Sequence, residues 1–150
     1  MTHASVIYLP KVHDYAELTR VWEASVRATH HFLPDDYIAL LSDLLLNQYL
    51  ASVNLFCTRD AHLRITGFAG TSPGKLEMLF IAPQYRGTGL GTQLLEYAIR
   101  NHEVTQLDVN EQNPQALGFY QKHGFEIVGR SEVDGLGRPY PMLRMHLKVR

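Results

Sequence analysis

Cysteine is nearly absent from this chain of 150 residues, which contains only Cys57. One cysteine forms no disulfide within a chain, and this agrees with a reducing compartment. A signal peptide is lacking as well, because the opening residues MTHASVIYLPKVHDY contain no apolar core. No apolar run approaches the roughly 20 residues that span a bilayer. These absences predict a cytoplasmic protein with no membrane partner.

An excess of charge of one sign is also missing, since 14 Lys and Arg residues face 15 Asp and Glu residues. This balance gives no electrostatic reason to expect nucleic acid as a partner. Eight histidines are present, but they form no H-x-x-x-H pair or Cys/His cluster, so no metal is expected. The length is typical of one domain, and we expect a single domain over residues 1–150.

The spacing of apolar residues predicts four helices and seven strands. The helices are expected over 15–29, 35–50, from the glycines near 91 to about 100, and 114–123; the strands over 5–9, 53–58, 63–70, 76–81, 105–109, 125–129 and 140–148. Asp14 is placed to cap the first helix, and Asn113 caps the last. This order of elements predicts a mixed α/β or α+β domain. The apolar strand LEMLFI is expected near the centre of the sheet.

Three glycines at alternate positions, Gly87, Gly89 and Gly91, stand directly before a helical pattern in YRGTGLGTQLL. The first N–H groups of a helix have no partner within it, and the helix dipole is positive there, so such a turn can hold a phosphate. The alternative is a tight strand-to-helix turn without a ligand. The stretch is neither a P-loop, which needs Gly-Lys-Ser/Thr, nor the G-x-G-x-x-G dinucleotide fingerprint.

A second motif follows in NEQNPQALGFYQKHGF, which carries the pattern A-x-x-F-Y-x-K-x-G-F from Ala116 to Phe125. Together with the stretch QYRGTG at 84–89, which has the form Q/R-x-x-G-x-G/A, it resembles the GNAT superfamily of N-acetyltransferases. The two motifs cover roughly residues 76–128. The flanking stretches VWEASVRATHHFL and RSEVDGLGRPYPML are similar to one bacterial subgroup, the YjaB-like acetyltransferases.

This resemblance implies the GNAT fold, a mixed and mostly antiparallel sheet of about six or seven strands with splayed central strands and about four flanking helices. It also implies acetyl-CoA as the cosubstrate and a primary amine, on a small molecule or a peptide, as acceptor. The amine would attack the thioester directly in a ternary complex. The residues that the resemblance assigns to the cofactor are Phe80, Ile81, Gln84, Arg86, Gly87, Thr88, Gly89, Leu90, Gly91, Thr92, Asn110, Asn113 and Tyr120.

Two residues are candidates for proton transfer. Tyr120 matches the family tyrosine that faces the CoA sulfur, and a phenol can protonate the leaving thiolate. Glu77 is the only acid in the strand KLEMLFI, and period-two alternation puts it on the face of Leu79 and Ile81. A carboxylate there could take the proton of the amine, which is mostly protonated at neutral pH. The alternatives are a core ring for Tyr120 and a solvated strand end for Glu77.

The acceptor side is harder to predict. His30 and Phe32 lie between the first two helices, where the family binds acceptors, and we expect them to contact the substrate. His30 could act as a base or could simply line the cleft. The chain is expected to act as a monomer or a homodimer. The alternative functions are a non-catalytic acyl-CoA sensor or interaction domain, or an unrelated phosphate-binding domain.

Overall fold

The computed structural model describes residues 6–148 of the chain. Its ten main elements are α1 (Tyr15–Thr29), α2 (Asp35–Leu44), β1 (Asn54–Arg59), β2 (Ile65–Ser72), β3 (Lys75–Ile81), α3 (Leu90–His102), β4 (Gln106–Asn110), α4 (Pro114–Lys122), β5 (Phe125–Ser131) and β6 (Met142–Leu147). The strands form one mixed sheet in the order β1-β2-β3-β4-β6-β5. The expected fold, a mixed sheet flanked by four helices, is confirmed.

One pair of neighbouring strands is parallel, and all the others are antiparallel. The parallel strands β3 and β4 share only two ladder pairs, Lys75 with Gln106 and Leu76 with Leu107. Beyond these pairs the two strands separate, which confirms the expected splayed centre of the sheet. Each strand therefore has an inner edge whose backbone groups are free of the neighbouring strand.

Helices cover both faces of the sheet, and each face has its own apolar core. The core beneath α3 and α4 is built around Leu94, Leu95, Leu107 and Met145. The core beneath α1 and α2 includes Leu18, Trp22, Val26, Ile38 and Phe68. Burial of these side chains fixes the helices against the sheet, each contributing about 1.5–3 kcal/mol. The helices thereby hold the two separated strands in place.

The predicted strand at 5–9 is wrong as an extended element. Within its described part, only Tyr8 pairs, in a single bridge to Cys57 with two hydrogen bonds of 2.9 Å; Ser5 lies outside the described residues. The bridge ends at once because Pro10 follows and cannot donate a backbone hydrogen bond.

The predicted helix over 35–50 stops early, at Leu44. The chain continues in a π turn over Leu45–Tyr49 and a tighter turn over Leu50–Ser52. The wider turn keeps Leu45 and Leu50 buried in the α1–α2 core, which is why the apolar pattern looked continuous. None of the helices in the described part of the chain is both long and apolar enough to cross a bilayer.

The side chain of Asp14 does not cap α1, contrary to expectation. Its carboxylate instead accepts the N–H of Lys11 at 2.9 Å and pairs with Arg59 of β1 at 3.3 Å. The backbone N–H of Lys11, followed by Arg59, keeps the pKa of Asp14 below its usual value. Asp14 thus ties the start of α1 to the edge of the sheet.

Candidate functional site

A cleft of about 600 Å³ opens where β3 and β4 separate. Its walls come from both strands, from the glycine-rich turn before α3, from α4 and from the end of α1. The predicted site residues that line it are His30, Glu77, Phe80, Ile81, Arg86, Gly87, Gly89, Gly91, Thr92, Asn110, Asn113 and Tyr120. The fold therefore brings together residues that are up to 90 positions apart in the sequence.

The glycine-rich turn has a conformation that favours glycine. Gly87 and Gly89 have φ angles of 76° and 90°, in the left-handed region. A Cβ atom at either position would meet nothing within 4 Å, so the space beside the turn is open. Gly89 is the N-cap of α3 and offers no side chain to cap it. The first N–H groups of α3 are thus available to an anion such as a pyrophosphate.

Glycine is favoured at position 91 for a different reason, which is close packing rather than a positive φ angle. Gly91 lies inside α3, and a Cβ there would lie 3.4 Å from the ring of Phe119 on α4. Its small size lets α4 approach α3 closely beside the turn. Across the mouth of the cleft, the guanidinium of Arg86 donates a hydrogen bond to the side-chain oxygen of Gln115.

Three residues assigned to the cofactor do not line this cleft. The side chain of Thr88 donates to the carbonyl of Tyr85 and so closes the turn. Leu90 begins α3 without joining the lining, and Gln84 lines a second cleft between α1 and β2. Their predicted contacts with the cofactor remain predictions. Asn113 lines the main cleft, but its side-chain oxygen also caps α4 through the N–H of Ala116 at 3.3 Å.

Tyr120 lies on the face of α4 that is turned to the sheet and is 9% exposed. Its ring makes edge contacts with Phe119 and Phe125, at centroid distances of 5.3 and 6.1 Å. Within residues 6–148 its hydroxyl has no protein hydrogen-bond partner, although Tyr120 lines the cleft. Burial raises the pKa of Tyr120 above its usual range. The phenol therefore stays protonated at neutral pH and can donate toward the cleft.

Glu77 lies at an irregularity of β3. Met78 pairs with Gly70 and Leu76 with Thr71, so Glu77 is an extra residue in the strand. The bulge breaks the simple alternation on which the shared face of Glu77, Leu79 and Ile81 was predicted. Leu79 and Ile81 pack into the core beneath α3. Glu77, one-third exposed, lines the cleft, as Leu79 and Ile81 also do.

Two neighbours that sequence reasoning missed hold the Glu77 carboxylate. Ser72 donates its hydroxyl to it at 2.7 Å, and the Lys75 ammonium lies 3.6 Å away. Lys75 also binds Asp108 of β4 at 2.9 Å. The hydrogen bond to Asp108 is the main reason why the pKa of Lys75 is raised. No local pattern in the sequence signals a contact between residues 33 positions apart on two strands.

The end of the cleft near the end of α1 is bordered by His30, whose Nδ1 lies 2.7 Å from the hydroxyl of Thr29. Burial, and then the neighbouring His31, lower the pKa of His30 to about 4. The ring is therefore neutral at physiological pH and too weakly basic to hold a proton there. This favours a lining role over a base role for His30.

Phe32 does not line the cleft, but its ring packs beside the ring of His30. Its ring lies 5.4 Å from that of His30 and 6.1 Å from that of Tyr140. Tyr140 stacks on Tyr37 of α2 at 5.3 Å, and the Tyr37 hydroxyl donates to Asp134. The segment between β5 and β6 is thereby joined to the α1–α2 region beside the cleft.

A glycine-rich turn at a helix N-terminus beside two separated strands, with a buried tyrosine and a glutamate in the same cleft, suits an acyl-CoA-dependent transferase. Residues 36–146 match the model of the acetyltransferase (GNAT) domain family. The chain belongs to this family, and it is an acetyl-CoA-dependent N-acetyltransferase.

Similar proteins agree with this assignment. The peptidyl-lysine N-acetyltransferase YjaB of Escherichia coli K12 is 43% identical over 129 residues, which cover 86% of this chain and 87% of the relative. The solution structure of apo YjaB from Escherichia coli superimposes with a TM-score of 0.87 at 39% identity, covering 96% of this chain and 97% of that one. The expected similarity to YjaB-like acetyltransferases is confirmed.

A more distant structure shares the fold. The PaiA N-acetyltransferase of Thermoplasma acidophilum, determined in complex with coenzyme A, has a TM-score of 0.68 at 21% identity. The match covers 95% of this chain and 98% of that chain. At this identity the likeness concerns the fold alone.

Proposed function

We propose that the protein transfers the acetyl group of acetyl-CoA to the side-chain amine of a lysine in a peptide or protein. The observation that carries the proposal is the presence of Glu77 and Tyr120 in one cleft, at the point where β3 and β4 separate. The name of the 43% identical relative, a peptidyl-lysine N-acetyltransferase, supports the choice of acceptor.

The donor would lie in the cleft with its pyrophosphate at the turn of Gly87 and Gly89. The N–H groups at the start of α3 would bind the phosphate oxygens, with Arg86 adding a positive charge. The pantetheine arm would follow the free inner edge of β3 at Phe80 and Ile81. Alternate residues of a strand direct their backbone groups to opposite edges, so this edge offers N–H and C=O partners to an extended chain.

Acetyl-CoA supplies a thioester whose carbonyl carbon is the target of the amine. Glu77 would accept the proton of the incoming ammonium, directly or through a water molecule, because only the neutral amine is a nucleophile. A free backbone N–H of β3 would stabilise the carbonyl oxygen as negative charge develops. Tyr120 would donate its proton to the departing sulfur and regain it from solvent.

The surroundings of the cleft support these roles. Lys75 and Ser72 keep the Glu77 carboxylate oriented, so that it accepts a proton from a fixed position. Burial keeps Tyr120 protonated, so its proton is available when the sulfur leaves. His30 is neutral and therefore does not repel an approaching ammonium. These features favour catalysis over a sensor that only binds acyl-CoA.

A panel of peptides tests the proposal. Each peptide has a blocked amino terminus and either one lysine or, as the matched control, one norleucine, whose side chain has no amine. We expect acetyl-CoA and the protein to acetylate the lysine peptide at its side chain, as located by tandem mass spectrometry, and to leave the norleucine peptide unchanged. In a parallel assay with free α-amines and polyamines, acetylation of these compounds but not of the lysine peptide would contradict the choice of acceptor. CoA binding without any transfer would favour the sensor function.

A further inference from the structure

His123 connects α4 to the first turn of α3 beside the cofactor turn. It directly follows α4, and its Nδ1 lies 2.9 Å from the carbonyl oxygen of Phe119. Its Nε2 lies 3.2 Å from the hydroxyl oxygen of Thr92. Thr92 is the third residue of α3 and lines the cleft. Both nitrogens of one imidazole are therefore held, one by a carbonyl and the other by a residue of the predicted phosphate site.

These partners determine where the protons lie. A carbonyl oxygen can only accept, so Nδ1 of His123 carries a hydrogen and donates it to Phe119. In the neutral ring Nε2 is then an acceptor, and the Thr92 hydroxyl must donate to it. That hydroxyl has no further partner among residues 6–148. With neutral His123, Thr92 therefore turns only lone pairs toward the cleft.

Such an orientation opposes the binding of a phosphate. Lone pairs of the Thr92 oxygen repel the anionic oxygens of a pyrophosphate, and the one proton of the hydroxyl is used elsewhere. A second proton on His123 reverses the hydrogen bond. Nε2–H then donates to the Thr92 oxygen, and the hydroxyl is free to donate into the cleft. The same protonation adds a positive charge beside the anion.

We propose that His123 is a positioning residue for the pyrophosphate of CoA: it takes up a proton when the pyrophosphate binds and turns the Thr92 hydroxyl toward a phosphate oxygen. This inference rests on the proposed function, since it requires the turn before α3 to hold the pyrophosphate. It adds a proton to the binding reaction, so the affinity for CoA rises as the pH falls through the neutral range.

Four other charged residues lie on the elements next to His123 or line the same cleft. Lys122 precedes it on α4, and Glu96 follows Thr92 by one helical turn on α3. At the end of β6, Lys148 donates its backbone N–H to Gly124 at 2.9 Å. Arg86 lines the same cleft. Lysine, arginine and glutamate side chains as classes titrate far from neutrality. The lining histidine His30, with its pKa of about 4, also stays neutral.

Calorimetry with dephospho-CoA tests the proposal without measuring activity. This ligand keeps the pyrophosphate but lacks the 3′-phosphate, a monoester whose second ionisation near pH 6 would obscure the result. Binding is measured between about pH 6 and pH 8, in pairs of buffers that differ in protonation enthalpy. For the wild type we expect uptake of up to one proton and a loss of affinity of up to about tenfold per pH unit.

Two variants test whether His123 is the group that takes up the proton. His123→Asn has no titrating ring, so we expect no proton uptake and an affinity that is independent of pH. The matched control is His102→Asn, because His102 makes a similar pair with Thr71 at 2.6 Å but does not line the cleft. His102→Asn should keep the wild-type proton uptake. Proton uptake that is absent in the wild type or persists in His123→Asn overturns the proposal.

A further variant keeps His123 and changes Thr92. Thr92→Val removes the hydroxyl and should weaken binding more at about pH 6 than at about pH 8, because only protonated His123 frees that hydroxyl for the phosphate. An equal loss at both pH values contradicts the proposal. If neither CoA nor dephospho-CoA binds to the wild type at any pH, the proposed function fails together with this inference. Binding without proton linkage refutes the inference alone.

Discussion

Lys75 of β3 and Asp108 of β4 form an ion pair of 2.9 Å beside the last paired residues of the two strands. Lys75 also lies 3.6 Å from Glu77, the extra residue of the β3 bulge. One ammonium thus links the separation point of the strands to the carboxylate in the cleft. From its position we expect Lys75 to orient the proposed base.

Glu77→Gln should lower kcat at neutral pH, because an amide cannot accept the proton of the amine. The loss should shrink at high pH, where the acceptor is already neutral. A pH–rate profile of wild type and variant with a lysine peptide checks this. A wild-type profile in the variant would exclude Glu77 as the base.

Lys75→Met should lower kcat with a lysine peptide, because the Glu77 carboxylate loses the ammonium 3.6 Å away that orients it. Acetyl-CoA affinity, followed by calorimetry, should change little. Lys11→Met is the matched control, since Lys11 is exposed and is not among the residues that line the cleft. An unchanged kcat in Lys75→Met would show that Lys75 does not orient the proposed base.

Tyr120→Phe keeps the ring and removes only the hydroxyl. If Tyr120 protonates the leaving sulfur, kcat falls by roughly 10²–10⁴-fold while acetyl-CoA affinity changes little. Tyr97→Phe is a suitable control, because Tyr97 packs against Phe56 and His102 outside the cleft. A kcat of Tyr120→Phe within about twofold of the wild type would make the ring merely structural.

Gly89→Val places a branched side chain at φ 90° in the cofactor turn. The variant should bind acetyl-CoA far more weakly, because the side chain fills the space beside the N–H groups of α3. Gly137→Val is the matched control: its φ of 78° imposes similar strain, again with nothing within 4 Å of a Cβ, but outside this turn. Calorimetry on both folded variants should show a loss for Gly89→Val only.

Tyr37→Phe should raise KM for the peptide several-fold and leave acetyl-CoA affinity unchanged. Asp134 uses one oxygen for the N–H groups of Leu136 and Arg138, at 3.0 and 2.9 Å, and the other for the Tyr37 hydroxyl. The variant therefore keeps the turn of the β5–β6 segment and loses its link to α2. If the KM for the peptide in Tyr37→Phe equals that of the wild type, this link does not shape the acceptor side.

The same residue gives a prediction on pH and stability. Burial, followed by the hydrogen bond to Asp134, raises the pKa of Tyr37 above its usual range. A group whose pKa is raised by folding stabilises the folded state below its unfolded pKa, near 10, and loses this contribution as the pH rises. Denaturant unfolding should therefore show stability falling above about pH 10, with a shallower fall in Tyr37→Phe.

Local patterns predicted most of the fold. Asn113 and Pro114 start α4, and Gly124, with φ 95°, follows its end as expected. The prediction failed where contacts with distant residues gave a side chain a different role. Asp14 is an acid before a helix, but Arg59 on the neighbouring strand and the Lys11 N–H bind its carboxylate.

The candidate site likewise contains features that the sequence predicts and features that it does not. The glycine turn follows from the sequence because positive φ angles favour glycine. The bulge at Glu77 does not, since period-two alternation has no way to signal an extra residue. The contacts of Lys75 with Asp108 and of Phe32 with Tyr140 join distant segments, and only the assembled sheet brings them together.

The position of the CoA sulfur in a crystal structure of the complex with CoA is the most direct test of the proposed chemistry. We expect the pyrophosphate on the N–H groups at the start of α3, the pantetheine arm along the inner edge of β3, and the sulfur within hydrogen-bonding distance of the Tyr120 hydroxyl. A sulfur that lies away from Tyr120, or a CoA molecule bound outside the cleft between β3 and β4, would contradict the proposed site.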